Sequence, residues 1–179
     1  AVLTLLLFRI YWGFAGSTTA RFSHFLRGPR NILAYFRQTL AGAAPRHAGH
    51  NPLGALSVIA LLLVLLAQTL SGLFTIDTDG MVSGPLSPWV SYRTGRDIGD
   101  LHSLSFDLLM ILVILHITAI IVYAVFKRQN LTAAMLHGNA PLPPGATREH
   151  RHAGWGRALP GLIVAGLLVY AITQRFFIS

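Results

Sequence analysis

The sequence contains no cysteine. Disulfides, thiolate metal sites, iron–sulfur clusters and cysteine nucleophiles are therefore excluded. Acidic residues are almost as scarce, with six Asp and Glu in 179 residues and charged residues at 11% overall. Soluble domains carry about 25% charged residues, so this chain is too poor in charge for an ordinary cytoplasmic enzyme. A disordered tail is excluded as well, because 53% of the residues are hydrophobic and such chains collapse. Hydrolytic and nucleotide-binding signatures are also missing. There is no G-x-S-x-G, no phosphate-cradling glycine loop and no carboxylate pair within a predicted pocket.

What the chain has instead is long apolar runs and a mean hydropathy of +0.57. Three of them, Pro52–Phe74, Leu101–Phe126 and Leu159–Phe177, have the roughly 17–25 residues that cross about 30 Å of hydrocarbon. Counting Ala1–Phe14 as the first of four runs, the third, Leu101–Phe126, is slightly long and is expected to tilt. A shorter run, Ala1–Phe14, extends only about 21 Å as a helix. It has no polar flank and no signal-peptide pattern, so it reads as the latter part of a transmembrane helix with residues expected upstream. These runs predict an all-α integral membrane helical bundle, one membrane domain over 1–179. It would have three full transmembrane helices (52–74, 101–126 and 159–177) and a truncated N-terminal one (1–14).

The net charge of +8 does not point to nucleic acid, because the arginines fall in short clusters between apolar runs. In a lipid bilayer such clusters report topology. Arg21, Arg27, Arg30, Arg37 and Arg46 follow the first run with no acid among them. Lys127, Arg128, Arg148, Arg151 and Arg157 follow the third against Glu149 alone. The connection Thr75–Asp100 holds Asp77, Asp79, Asp97 and Asp100 against Arg93 and Arg96. The positive-inside rule then makes the first two connections cytoplasmic, the Asp-rich one external and the C-terminus external. Arg21–Gly42 mixes aromatic, aliphatic and basic residues as short interfacial helices do, with a break at Gly28-Pro29. Asn51-Pro52 reads as an N-cap and first-turn proline. Residues 139–147 form a turn-rich linker. Trp12, Trp89, Tyr92, Tyr123 and Trp155 lie near predicted boundaries, as an aromatic belt does.

Eight histidines are the main candidates for metal or proton chemistry. His102 and His116 lie on the third run. Fourteen steps of about 100° close to within 40° of four turns, so both share one helix face, about 21 Å apart along it. Three readings of that stripe stand. The rings are axial ligands of two stacked haems, members of a proton relay, or interior histidines bonded to a neighbouring helix. Asp107 lies about 140° off the stripe and would either bond Gln68, Thr69 or Ser71 or handle protons. Arg9 would either pair with a haem propionate or snorkel to the interface. His50 reads as a cap or as a residue near a haem edge or quinone headgroup. His24, His47, His137, His150 and His152 have no metal-site spacing. Gly161 and Gly166 would permit close helix packing.

RFSHFLRGP at Arg21–Pro29, GHNPLG at Gly49–Gly54, AQTLSGLF at Ala67–Phe74 and LHSLSFDLLMILVILH at Leu101–His116 resemble the bacterial cytochrome b561 family. That family is similar to the cytochrome b subunit of nickel–iron hydrogenases. The resemblance covers about Ala1 to Gly138. It implies a helical bundle in the bacterial inner membrane that holds two b-type haems. His102 and His116 match the positions that give one axial ligand to the outer and the inner haem. The partner histidines are expected on the family's first helix and at the start of its second, upstream of Ala1, since AVLTLLLFRIYWGF resembles the end of that second helix. The implied role is electron transport in a respiratory chain. Electrons would pass between a quinone pool and a c-type cytochrome or a dehydrogenase or hydrogenase subunit, as carrier within a quinone-linked oxidoreductase. A proton or ion transporter using His102, Asp107 and His116, or a haemless membrane anchor subunit, are the alternatives.

Overall fold

The computed structural model describes residues 1–42, 51–77, 79, 81–126 and 153–174. His47, His50, His137, His150, His152, the 139–147 linker and the end of the fourth run lie outside the described residues. Helices account for nearly all of the rest: α1 (Val2–Ala15), α2 (Phe22–Phe25), α3 (Pro29–Leu40), α4 (Pro52–Phe74), α5 (Tyr92–Val125) and α6 (Trp155–Gln174). Among the described residues there is no extended strand, only an isolated antiparallel bridge between Ile76 and Ser83. The fold is an all-α membrane bundle of three long apolar helices and a shorter apolar N-terminal one.

The surface requires a bilayer. In the most apolar stretches of α4, α5 and α6, only 6%, 0% and 11% of the residues are buried by the protein itself. Leu104, Ile111, Ile114, Leu115, Leu167 and Leu168 are all exposed. Patches of this extent are far beyond what a water-soluble monomer displays, whereas hydrocarbon solvates them without cost. Trp89, Tyr92 and Trp155 stand exposed at helix ends, where amphipathic rings meet headgroups.

Local chemistry sets the helix ends. The Gly54 amide donates to Asn51 Oδ1 at 2.7 Å, and Pro52 fills the first turn of α4. Such a cap contributes about 1 kcal/mol. Gly28 caps α3 and Pro29 begins it, which separates α2 from α3 at the expected place. Helix α5 starts at Tyr92, nine residues before the apolar run, capped by the Thr94 amide donating to Ser91 Oγ. Its 34 residues extend about 51 Å. The turns bearing Arg93, Arg96, Asp97 and Asp100 therefore project past the hydrocarbon, and the true connection after α4 is short. It is strapped down by backbone bonds from the Leu86 amide to the Leu73 carbonyl, the Gly84 amide to the Thr75 carbonyl and the Ile76 amide to the Gly95 carbonyl.

Helices α4 and α5 form the most extensive contact in the molecule, and α1 with α6 the next. The second pair is close because Gly161 lies against Tyr11. A Cβ at Gly161 would overlap the Tyr11 ring, and the Tyr11 hydroxyl donates to the Arg157 carbonyl at 3.0 Å. The Ala153 amide donates to Ser17 Oγ at 3.2 Å just beyond. Gly166 meets nothing within 4 Å, so only one of the two expected glycine contacts forms. Gly161→Val should cost about 1–3 kcal/mol through overpacking, read as a lower unfolding midpoint in detergent. An unchanged midpoint would show that α6 does not dock on α1.

Helix α3 is held at the far end of α5 by its one deeply buried side chain, Tyr35. The Tyr35 and Tyr123 hydroxyls meet at 3.3 Å. Burial, then the neighbouring Tyr123 hydroxyl, push the Tyr35 pKa up from its ordinary value, so the Tyr35 hydroxyl keeps its proton. Leu33, Phe36 and Leu40 of α3 are exposed, as an interfacial helix requires.

Candidate functional site

The site grows out of the antiparallel register of α4 and α5. His102 of α5 packs on Ser71 of α4, and His116 on Ser57. The histidines are fourteen residues apart, and so are the serines. Two identical spacings on antiparallel helices bring both pairs into contact at once. Both rings therefore face α4, as the single-stripe reading requires.

At His102 the contacts decide the proton positions. Nδ1 lies 3.1 Å from the Gln68 carbonyl oxygen. A carbonyl only accepts, so Nδ1 carries the hydrogen. Ser71 Oγ donates to the Ala67 and Gln68 carbonyls at 2.7 and 3.1 Å and accepts from His102 Nδ1 at 3.1 Å. Nε2 is then the lone-pair nitrogen, and the Gln68 amide donates to it at 3.0 Å. The Gln68 Oε1 atom accepts in turn from Ser105 Oγ, and Ser105 also donates to the His102 carbonyl at 2.9 Å. Ser71 and Ser105 are buried, so this is a closed polar network within an apolar pair of helices. Interhelical bonds of this kind average about 0.6 kcal/mol each in a bilayer. The network orients a ring more than it stabilises the fold.

The ring reaches the α4 backbone because residue 72 is glycine. A Cβ there would stand 3.0 Å from His102 Cε1 and 3.4 Å from Nδ1. A side chain would have to push the imidazole off the carbonyl.

His116 is held more simply. Its Nδ1 meets Ser57 Oγ at 2.9 Å, and its Nε2 has no hydrogen-bond partner among the described residues. Asp107 corrects an expectation. Gln68 and Ser71 are committed to His102, while Thr69 Oγ1 donates back to the Leu65 and Leu66 carbonyls at 2.9 and 3.1 Å. Asp107 is exposed on the opposite side of α5 and bonds neither α4 nor either histidine.

Arg9 does not reach freely for the interface. Its guanidinium carbon lies 5.5 Å from the centre of the Phe22 ring. Nη1 is buried without a hydrogen-bond partner among the described residues. A buried, unpaired guanidinium nitrogen fits an anionic oxygen. His24 lies exposed on α2, away from the stripe.

These features suit a haem. Axial imidazole uses one nitrogen while its other N–H is held by a hydrogen bond that fixes tautomer and ring direction. His102 has Nδ1–H anchored and its lone pair on Nε2, where the group to be displaced by iron is the Gln68 side-chain amide. His116 presents an open Nε2. The described residues hold no group of three or more metal-ligating side chains, so a dedicated protein cage for a bare ion is not among them.

Long apolar helices, with an imidazole stripe held by a neighbouring helix, define a multi-pass membrane protein. The family profile for prokaryotic cytochrome b561 matches residues 1–138. The chain belongs to that family, and with it to the membrane electron-transfer proteins that bind b-type haem. No curated protein and no solved structure matches the chain. Helix α6 follows the matched region.

Proposed function

We propose that the protein carries electrons across the bacterial inner membrane through two b-type haems, with His102 and His116 each giving one axial ligand. The observation that carries this reading is the doubled register. Two histidines at family-matching positions each have Nδ1 held by an α4 serine, leaving Nε2 to serve as ligand. The second axial ligand of each iron comes from another helix. The haems supply one-electron chemistry; the chain supplies ligands, apolar surroundings and fixed spacing. The ligand positions are about 21 Å apart along α5, which suits two successive transfers.

Orientation follows from charge. Arg21, Arg27, Arg30 and Arg37 surround α2 and α3, so that end faces the cytoplasm. The α4–α5 connection and the end of α6 then face the periplasm, and His102 serves the outer haem and His116 the inner. A quinone in the membrane supplies or takes electrons. The redox partner is a c-type cytochrome or a dehydrogenase or hydrogenase subunit. The proton-relay alternative needs Asp107 beside the histidines, and Asp107 stands on the other face.

Proteoliposomes with trapped ferricyanide and externally added quinol test this directly. Trapped acceptor should be reduced at a rate well above protein-free vesicles. Equal rates would overturn electron transfer across the membrane.

Arg9 pairs with a propionate of the inner haem in this reading. Positive charge there favours the reduced haem. Arg9→Gln should lower that haem's midpoint potential by on the order of 60 mV, the value of a tenfold preference in a one-electron couple. A redox titration showing both potentials unchanged would remove Arg9 from the site.

A further inference from the structure

We infer that Ser57 and Ser71 are positioning residues for the two histidines, and that they are unequal: among the described residues Ser57 alone anchors His116, whereas Ser71 shares His102 with the α4 backbone. This rests on the haem reading above and deepens it.

The inequality is built into α4. Fourteen residues back from Gly72 stands Val58, and fourteen back from Gln68 stands Gly54. At the His102 level a glycine lets the imidazole lie against the helix, so Nδ1–H reaches the Gln68 carbonyl as well as Ser71 Oγ. At the His116 level a β-branched side chain occupies the matching position, and no glutamine is present to bond the ring. Among the described residues only Ser57 Oγ, 2.9 Å away, hydrogen-bonds a ring nitrogen of His116.

The chemistry differs accordingly. Ser71 spends its own hydrogen on the Ala67 and Gln68 carbonyls and is left as an acceptor, so His102 is locked with hydrogen on Nδ1. Ser57 makes no bond to the α4 backbone. Its hydroxyl can donate to Nδ1 or accept from it. Ligation of iron through His116 Nε2 requires the second state, with Ser57 accepting from Nδ1–H. Accepting that hydrogen makes the imidazole a better electron donor and favours ferric iron. Deleting the acceptor should raise the potential of the haem at His116. Deleting Ser71 should have a smaller effect, because the Gln68 carbonyl still holds Nδ1–H.

The test is a redox titration with haem content, in a His102→Ala background so that only the haem at His116 is read. Ser57→Ala should raise its midpoint potential by about 59 mV, a tenfold change in relative ferric and ferrous binding for one electron. Ser57→Thr, which keeps the hydroxyl, should restore the original value. In the reciprocal His116→Ala background, Ser71→Ala should shift the outer haem by less than half as much. Loss of the haem in Ser57→Ala with recovery in Ser57→Thr would also support the inference. An unshifted potential in Ser57→Ala, or a shift that threonine does not reverse, would overturn it. So would a Ser71→Ala shift as large as that of Ser57→Ala. Failure of the underlying haem reading looks different, because the unmodified protein would then bind no haem.

Discussion

His102→Ala should leave the protein with one haem per chain, and His116→Ala should leave it with the other one. The double variant should be colourless. Each histidine presents a single usable nitrogen, and no second histidine on α4 or α5 lies at either level. Alanine therefore removes an axial ligand with no substitute histidine on those two helices. Folding should survive, since the lost interhelical bonds are worth about 0.6 kcal/mol each and the α4–α5 contact is mainly apolar. The check is a dithionite-reduced minus oxidised spectrum, with haem quantified per chain and monodispersity confirmed by size exclusion. Retention of both low-spin haems in the double variant would sink the ligand assignment.

Gly72→Val should abolish the outer site alone. The added Cβ would stand 3.0 Å from His102 Cε1, and its two methyls would reach further. The imidazole would be pushed from the Gln68 carbonyl, losing the bond that fixes its tautomer. Disturbing such outer-shell partners typically costs 10–100-fold in metal affinity, and displacement of the ligand itself costs more. The expected product has one haem per chain, with the spectrum of the His102→Ala variant. Gly72→Ala should be milder, because a ring can yield by a few tenths of an ångström. Two haems with wild-type potentials in Gly72→Val would mean that His102 does not bind while resting on α4.

Much of this was readable from sequence because a bilayer allows few solutions. Length and hydropathy predict the α4 helix from Asn51-Pro52 onward, and Gly28-Pro29 marks the start of α3. The beginning of α5 is harder. Arg93, Arg96, Asp97 and Asp100 break the apolar signal, so the apolar run begins at Leu101 while the helix begins at Tyr92. The local signal is the cap, Ser91 three residues ahead of Thr94, a chemistry that hydropathy ignores. Asp107 shows the opposite error. Depth alone places it level with Gln68 and Ser71, yet both bond His102 instead. Helical angle settles the choice. The serine anchors are the residues that sequence reasoning missed. Ser57 and Ser71 repeat the spacing of His102 and His116, and matching spacings on two consecutive helices are the pattern that would have found them.

Haem stoichiometry separates an electron carrier from a colourless helical bundle. The direct measurement is a pyridine haemochrome determination on the protein purified in detergent. Two haems b per chain is the predicted result, with bis-imidazole low-spin signals. A colourless, folded protein would contradict the electron-transfer reading and leave His102 and His116 as hydrogen-bonded residues of the α4–α5 interface.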